Sequence, residues 1–133
     1  MDIVLNPLYF GKVRKVYVLE IDRQCPSYDY FENARDKVDF NQLMRRIKMV
    51  ADHGDLRNET IFKKLRDDIY EFKTRHGLRL YCFFDAGQLI VTVNGEDKGT
   101  KKGQNRAIDK AVEWKSRYFQ ARKQGKIIQI LES

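Results

Sequence analysis

Residues 69–94 read IYEFKTRHGLRLYCFFDAGQLIVTVN, and the alternation in this stretch decides the fold. Three runs, 69–75, 78–84 and 89–94, are rich in β-branched and aromatic residues. They are punctuated at His76-Gly77 and at Asp85-Ala86-Gly87-Gln88, which predicts three consecutive antiparallel strands. A two-residue loop at Ala86-Gly87 sets Phe84 against Leu89, Cys82 against Val91 and Leu80 against Val93 on an apolar face. The other face then pairs Phe83 with Ile90, Tyr81 with Thr92 and Arg79 with Asn94. Parity decides the first hairpin. A two-residue loop at His76-Gly77 would put Glu71, Lys73 and Arg75 beside Leu80 and Cys82, and burying unpaired charge costs several kcal/mol or more. An odd loop, with Arg75 opposite Arg79, places Tyr70 and Phe72 there instead. Glu71, Lys73, Arg75, Arg79, Tyr81, Thr92 and Asn94 are therefore expected on one open face.

On the N-terminal side, residues 13–21 (VRKVYVLEI) predict a strand. Cys25-Pro26-Ser27 is a break, and Tyr28 to Lys37 predicts one or two helical turns. Phe40, Leu43, Met44, Ile47, Val50 and Ala51 recur at helical spacing. Asp39 and Gln42 suggest a capping box for that helix, with Gly54 just past its end. On the C-terminal side, residues 105–124 predict a helix whose buried stripe is Ile108, Ala111, Val112, Tyr118 and Phe119. The apolar tail Ile127-Ile128-Gln129-Ile130-Leu131 can add a strand, cover the core or dock onto a partner. The sum is an α+β fold: an antiparallel sheet of about four strands, N-terminal helices packed on it, and a C-terminal helix.

With 133 residues, the chain fits one domain spanning 1–133, of which 125–133 is a short tail. The start, Met1-Asp2-Ile3-Val4, lacks the basic-then-apolar pattern of a signal peptide, and no apolar run suits a membrane span. Cys25 and Cys82 give neither zinc spacing nor a disulfide framework, so a reducing cytoplasm is expected. The net charge of +7 is localised: residues 98–126 hold 10 Lys/Arg against Asp109 and Glu113, while residues 1–56 and 57–97 are each balanced. Such a block attracts polyanions, nucleic acid first.

Most catalytic templates are absent. There is no phosphate-binding Gly-rich loop with Lys-Ser/Thr, no paired His-x-x-x-His and no Gly-x-Ser-x-Gly elbow, and no metal or cofactor is expected. What remains is a set of cations on a sheet, flanked by Lys98-Gly99-Thr100-Lys101-Lys102. RNA is cut without metal when its 2′-hydroxyl attacks the adjacent phosphorus, and the protein then orients the backbone and neutralises phosphoryl charge. Arg75 and Arg79 suit the phosphoryl oxygens. Lys73 is the proton-transfer candidate, and Glu71 is either a base or the salt-bridge partner of Lys73 or Arg79.

The stretch Phe62 to Arg75 followed by Leu78 to Asp85 resembles the "K-x-L-x-x-x-[IL]-Y-E-[LF]-R … Y-R-[IL]-x-Y-F" core of phage-derived RelE/HigB-like toxins. Asn94-Gly95, Lys98, Thr100, Lys102 and Arg106-Ala107-Ile108-Asp109-Lys110-Ala111 are similar to that family's "H-G-F-x-K-K-T-x-K-T-P-x-x-[ED]-I-x-x-A". The resemblance implies the toxin half of a type II toxin–antitoxin pair, acting as an mRNA interferase: a ribosome-dependent, metal-independent endoribonuclease that inhibits translation. Its partners would be mRNA, the ribosome and a cognate helix-turn-helix antitoxin. By position, Arg79 corresponds to the strand arginine that contacts the scissile phosphate, with Arg75, Lys73 and Glu71 beside it. Lys98, Lys101, Lys102, Tyr81, Asn94 and Arg106 are the expected RNA-binding set. Five positions depart from the pattern. Asn94 replaces a histidine, Glu96-Asp97 replaces an apolar pair, Gly99 replaces a lysine and Gln104 replaces a proline. These departures leave two alternatives open: an inactive relative that only binds its antitoxin or nucleic acid, and a ParE-type gyrase inhibitor.

Overall fold

The computed structural model describes residues 2–53, 59–86 and 89–129. In chain order the elements are β1 (Ile3–Phe10), β2 (Lys15–Ile21), α1 (Pro26–Ala34), α2 (Phe40–Asp52), β3 (Phe62–Lys64), β4 (Tyr70–Lys73), β5 (Leu78–Asp85), β6 (Leu89–Asp97), α3 (Lys101–Lys123) and β7 (Ile127–Gln129). The seven strands form one sheet in the order β3-β4-β5-β6-β2-β1-β7. Most neighbours are antiparallel, but β2 pairs with β6 and β1 with β7 in parallel. The fold is α+β as expected, with a larger and mixed sheet in place of about four antiparallel strands. The missed strands explain themselves. Asn6 and Pro7 interrupt the pattern of β1, whose pairing shifts between Pro7 and Tyr9, while β3 and β7 are only three residues long. The tail thus adds a strand over Ile127–Gln129. Gly54, expected just past α2, and residues 130–133 lie outside the described residues.

Helices cover both faces of the sheet. On one, α1 and α2 bury Ala34, Leu43, Ile47 and Val50 against Phe72, Leu80 and Cys82. On the other, α3 lays Ile108, Ala111, Trp114 and Tyr118 over Tyr17, Phe83 and Val91. Trp114 belongs to this buried stripe although its spacing was not read so; Val112 and Phe119 sit at its partly buried margin. A strand covered on both sides is apolar throughout rather than alternating, which explains why Leu80, Tyr81, Cys82 and Phe83 are consecutive and all buried.

The parity of the first hairpin holds, but its register is two residues from the expected one. Tyr70 pairs with Cys82, Phe72 with Leu80, Glu71 with Tyr81 and Lys73 with Arg79. Arg75 therefore lies in the turn and not opposite Arg79. The second hairpin joins Asp85 to Leu89 across three residues instead of two, so Phe83 meets Val91. The pairing then shifts between Tyr81 and Cys82, after which Tyr81 pairs with Asn94 and Arg79 with Glu96. Thr92, opposite Cys82, leaves the face that carries Arg79. That face is not open either, because α3 covers most of it.

Helix α3 begins at Lys101, four residues earlier than the periodicity suggested. Thr100 caps it, its hydroxyl accepting from Gly103 N–H at 3.0 Å, so Lys101 and Lys102 lie in its first turn. Neither Asp39 nor Gln42 closes the expected capping box on α2. Both reach instead to the turn between β4 and β5.

Candidate functional site

Two polar rows cross the α3-side face at the end nearest the N-terminus of α3. The outer row is Lys73, Arg79 and Glu96; the next is Glu71, Tyr81 and Asn94. Beyond them the face becomes the apolar floor under α3.

The inner row is interior. Glu71 is 2% exposed; its carboxylate lies 3.7 Å from the Arg79 guanidinium and accepts from Gln104 Nε2 at 3.3 Å. Gln104, which takes the place of a proline in the resembling motif, thus supplies a hydrogen bond that proline cannot make. Tyr81 is buried and donates its hydroxyl to Glu96 at 2.6 Å. Burial, the Glu96 hydrogen bond and the charge of Glu71 hold this phenol far above its ordinary pKa. Asn94, also buried, donates to the Ala107 carbonyl at 3.2 Å and ties β6 to α3. Tyr81 and Asn94 were expected to touch RNA. The structure corrects this, because α3 seals them in.

The outer row opens on a cleft of ≈ 290 Å³ lined by Lys73, Arg75, Arg79 and Lys98 together with Thr60, Thr74, Gly77 and Leu78. Four of the expected cations thus meet in one place, and the lining includes no carboxylate. Two backbone features hold them there. Gly77 has φ +99°, a conformation that strains residues with a Cβ. Its carbonyl accepts from Lys98 N–H at 2.6 Å, which docks the lysine on the turn that carries Arg75.

Helix α2 fixes that turn by three side chains the sequence reading did not assign to the site. The buried Asp39 carboxylate accepts from the Thr74 hydroxyl and from His76 N–H (2.8 Å for the latter). Gln42 Oε1 accepts from Arg75 N–H at 2.8 Å, and Arg46 donates to the Lys73 carbonyl. Burial raises the pKa of Asp39, but the hydrogen bonds from Thr74 and His76 outweigh it and hold the carboxyl below its usual range. No spacing rule marks these contacts; they join residues more than 25 positions apart.

Tyr30 of α1 completes the frame. Its ring lies so close to Gly95 that a Cβ there would come within 2.2 Å of it. Its hydroxyl accepts from Arg79 N–H at 3.3 Å and lies 3.0 Å from the Glu96 carbonyl and 3.1 Å from Asp97 Oδ1. The acidic pair thereby splits: Glu96 is bound to Tyr81, and Asp97 turns toward α1 and Lys37 at 3.3 Å.

The remaining expected residues stand elsewhere. Lys101 and Lys102 are exposed on the first turn of α3, where the helix dipole disfavours positive charge by a few tenths of a kcal/mol. Arg106 lines a different groove, beside Trp114 and Asp22. Cys82 is buried and Cys25 half-buried, with burial pushing the Cys25 thiol up to about 11. Among the described residues no group of His, Cys, Asp and Glu is arranged to hold a metal ion, and no helix is long and apolar enough to cross a membrane.

An α+β sheet sandwiched between helices, with a cationic cleft at one end, defines the class. The chain belongs to the family described as Phage derived protein Gp49-like (DUF891), whose model matches residues 29–116, from within α1 to within α3. That phage-derived family is related to RelE/HigB-type toxins. No curated protein matches the chain.

Proposed function

We propose that the protein is the toxin of a type II toxin–antitoxin pair and cleaves mRNA, with the ribosome presenting the strand, at the cleft between the β4–β5 turn and Lys98. The observation that carries this reading is the lining: Lys73, Arg75, Arg79 and Lys98 converge without a carboxylate among them. Such a cluster is repulsive in isolation and suits a bound phosphodiester. In the reaction the RNA 2′-hydroxyl attacks the adjacent phosphorus and the bond to the 5′-oxygen breaks. Arg79, held from behind by Glu71, and Arg75 neutralise charge on the phosphoryl oxygens as it develops. Lys73 hands a proton to the departing oxygen, and the 2′-hydroxyl proton leaves to water in the open cleft. Glu71 acts as an anchor for Arg79, being too deeply buried to reach substrate. The partners of this reading are mRNA, the ribosome and a cognate helix-turn-helix antitoxin.

The test is induction in cells with mapping of mRNA 5′ ends. Arg79→Ala is made together with Glu71→Gln, so that no uncompensated carboxylate remains buried. Loss of new mRNA ends in a folded double variant is the expected result; undiminished cleavage would exclude the cleft. A second reading, an inactive relative that only binds, is favoured by one observation. Asn94 occupies the position of a histidine in the resembling motif and is buried against α3. Binding of RNA with no new mRNA ends in the unmutated protein would select it.

A further inference from the structure

We propose that a second hollow, beside the cationic cleft, is a nucleobase subsite that selects bases bearing an exocyclic amine. The inference rests on the reading of the cleft as an RNA-backbone site.

The hollow measures ≈ 420 Å³ and is lined by Lys37, Val38, Asp39, His76, Leu78, Asp97 and Lys98, within the usual size of small-ligand clefts. It shares Leu78 and Lys98 with the cationic cleft, so a strand whose phosphate rests on Arg79 and Lys98 has a neighbouring base beside this hollow. The two linings differ in kind. The cleft offers four cations and no carboxylate, whereas the hollow has Lys37 and Lys98 balanced by Asp39 and Asp97. A balanced lining does not select phosphate. It does suit a flat heterocycle with polar edges, stacked on a side chain and hydrogen-bonded at its rim.

Val38 and Asp97 supply the two parts of that recognition. Val38 is 89% exposed, the most exposed of the large apolar side chains described, and it borders the hollow beside His76. A base laid on it would remove apolar surface from water. Asp97 is held at the rim by Tyr30 on one oxygen and by the half-exposed Lys37 on the other. An exocyclic amine can take the place of this half-exposed lysine as donor, in the way carboxylates accept from cytosine N4. Uracil has no such donor. Asp39 is instead buried, with Thr74 and His76 both holding its Oδ2 to the β4–β5 turn. The carboxylate that stands where the resembling motif has an apolar residue thus becomes the reader of a base, since Tyr30 turns it away from the phosphate cleft.

The test uses the full chain and fluorescein-labelled single-stranded RNAs of one length, 2′-O-methylated to prevent cleavage, with anisotropy as readout. Oligoadenylate and oligocytidylate should bind about five-fold more tightly than oligouridylate, the worth of one net hydrogen bond. Asp97→Ala should bring the three to a common affinity, and Val38→Ser should weaken all three while keeping their order. The Arg79→Ala/Glu71→Gln protein should lose affinity for all three alike. Equal affinities in the unmutated protein, with the Arg79 dependence intact, would overturn the subsite and leave the cleft standing. No RNA binding, or binding indifferent to Arg79, would overturn the cleft and the subsite together.

Discussion

Asp85 at the end of β5 and Glu71 in β4 are 1% and 2% exposed, and each has an arginine partner, Arg122 of α3 and Arg79 of β5. Asp85 accepts from the Tyr118 hydroxyl at 2.5 Å and from Arg122; Glu71 accepts from Gln104 and pairs with Arg79. The first set is closed, one carboxylate to one guanidinium, and it pins the C-terminal half of α3 to the sheet. The second is unbalanced, because Lys73, Arg75 and Lys98 gather around Arg79 against a single buried acid. Equal burial of the carboxylate therefore does not mean equal purpose. The surplus of positive charge, not the ion pair, separates the fastening at Asp85 from the cleft on which the proposed RNA site rests.

The sharpest way to break this contrast is to remove the arginine from the unbalanced end. The Arg79→Ala/Glu71→Gln protein should lose about 10²-fold in RNA cleavage, the scale of losing one preorganised charge donor, while its urea midpoint stays close to that of the unmutated protein. Asp85→Ala should do the reverse. It strands the buried Tyr118 hydroxyl and frees Arg122, at a cost of about 2–3 kcal/mol in urea denaturation, with cleavage per folded molecule retained.

The turn that holds the unbalanced end offers a pH-dependent test. The Asp39 carboxyl titrates lower in the folded than in the unfolded chain. Its stabilisation is therefore complete above about pH 4, the unfolded value, and is lost as pH falls through the lower folded value. Asp39→Asn should be less stable near neutral pH by about 1–2 kcal/mol, and the gap from the unmutated protein should close on acidification. A gap that is constant from pH 7 to pH 3 would refute the assignment. The smallest effect concerns Arg75 alone. With four cations on a single strand, log affinity should fall with log salt at a slope of about −3, and Arg75→Ala should reduce that slope by about 0.7.

The elements legible in the sequence were those governed by local periodicity. Helix α2 announces itself through Leu43, Ile47 and Val50, and β5 through its apolar run. The parity of the β4–β5 hairpin followed from the cost of burying Glu71 and Lys73 on the wrong side. Its register did not, because Asp39, Gln42 and Arg46 tie Thr74 and its neighbours into a turn from a helix distant in sequence. The irregular pairing at Tyr81 and Cys82 was equally hidden, since Val91 to Asn94 alternates without a break. The early start of α3 did carry a signal, Thr100 three residues before Gly103, but two lysines and a glycine in the first turn masked it. Of the site, the four cations were readable as types and near neighbours. Their framing by Tyr30, Asp39 and Gln104 was not, because each contact closes a gap of tens of residues.

The parallel pairing of β1 with β7 joins Ile3 to Ile127, which has a consequence for assembly during synthesis. A nascent chain has the local β4–β5–β6 meander, with its basic turn, well before α3 and β7 emerge. The meander's α3-side face then stays apolar and uncovered until those later segments arrive, and unshielded sheet of this kind is where partly made chains stick to one another. Shortening the chain from its C-terminal side should thus reduce soluble yield before it weakens the RNA binding proposed for the cationic cleft.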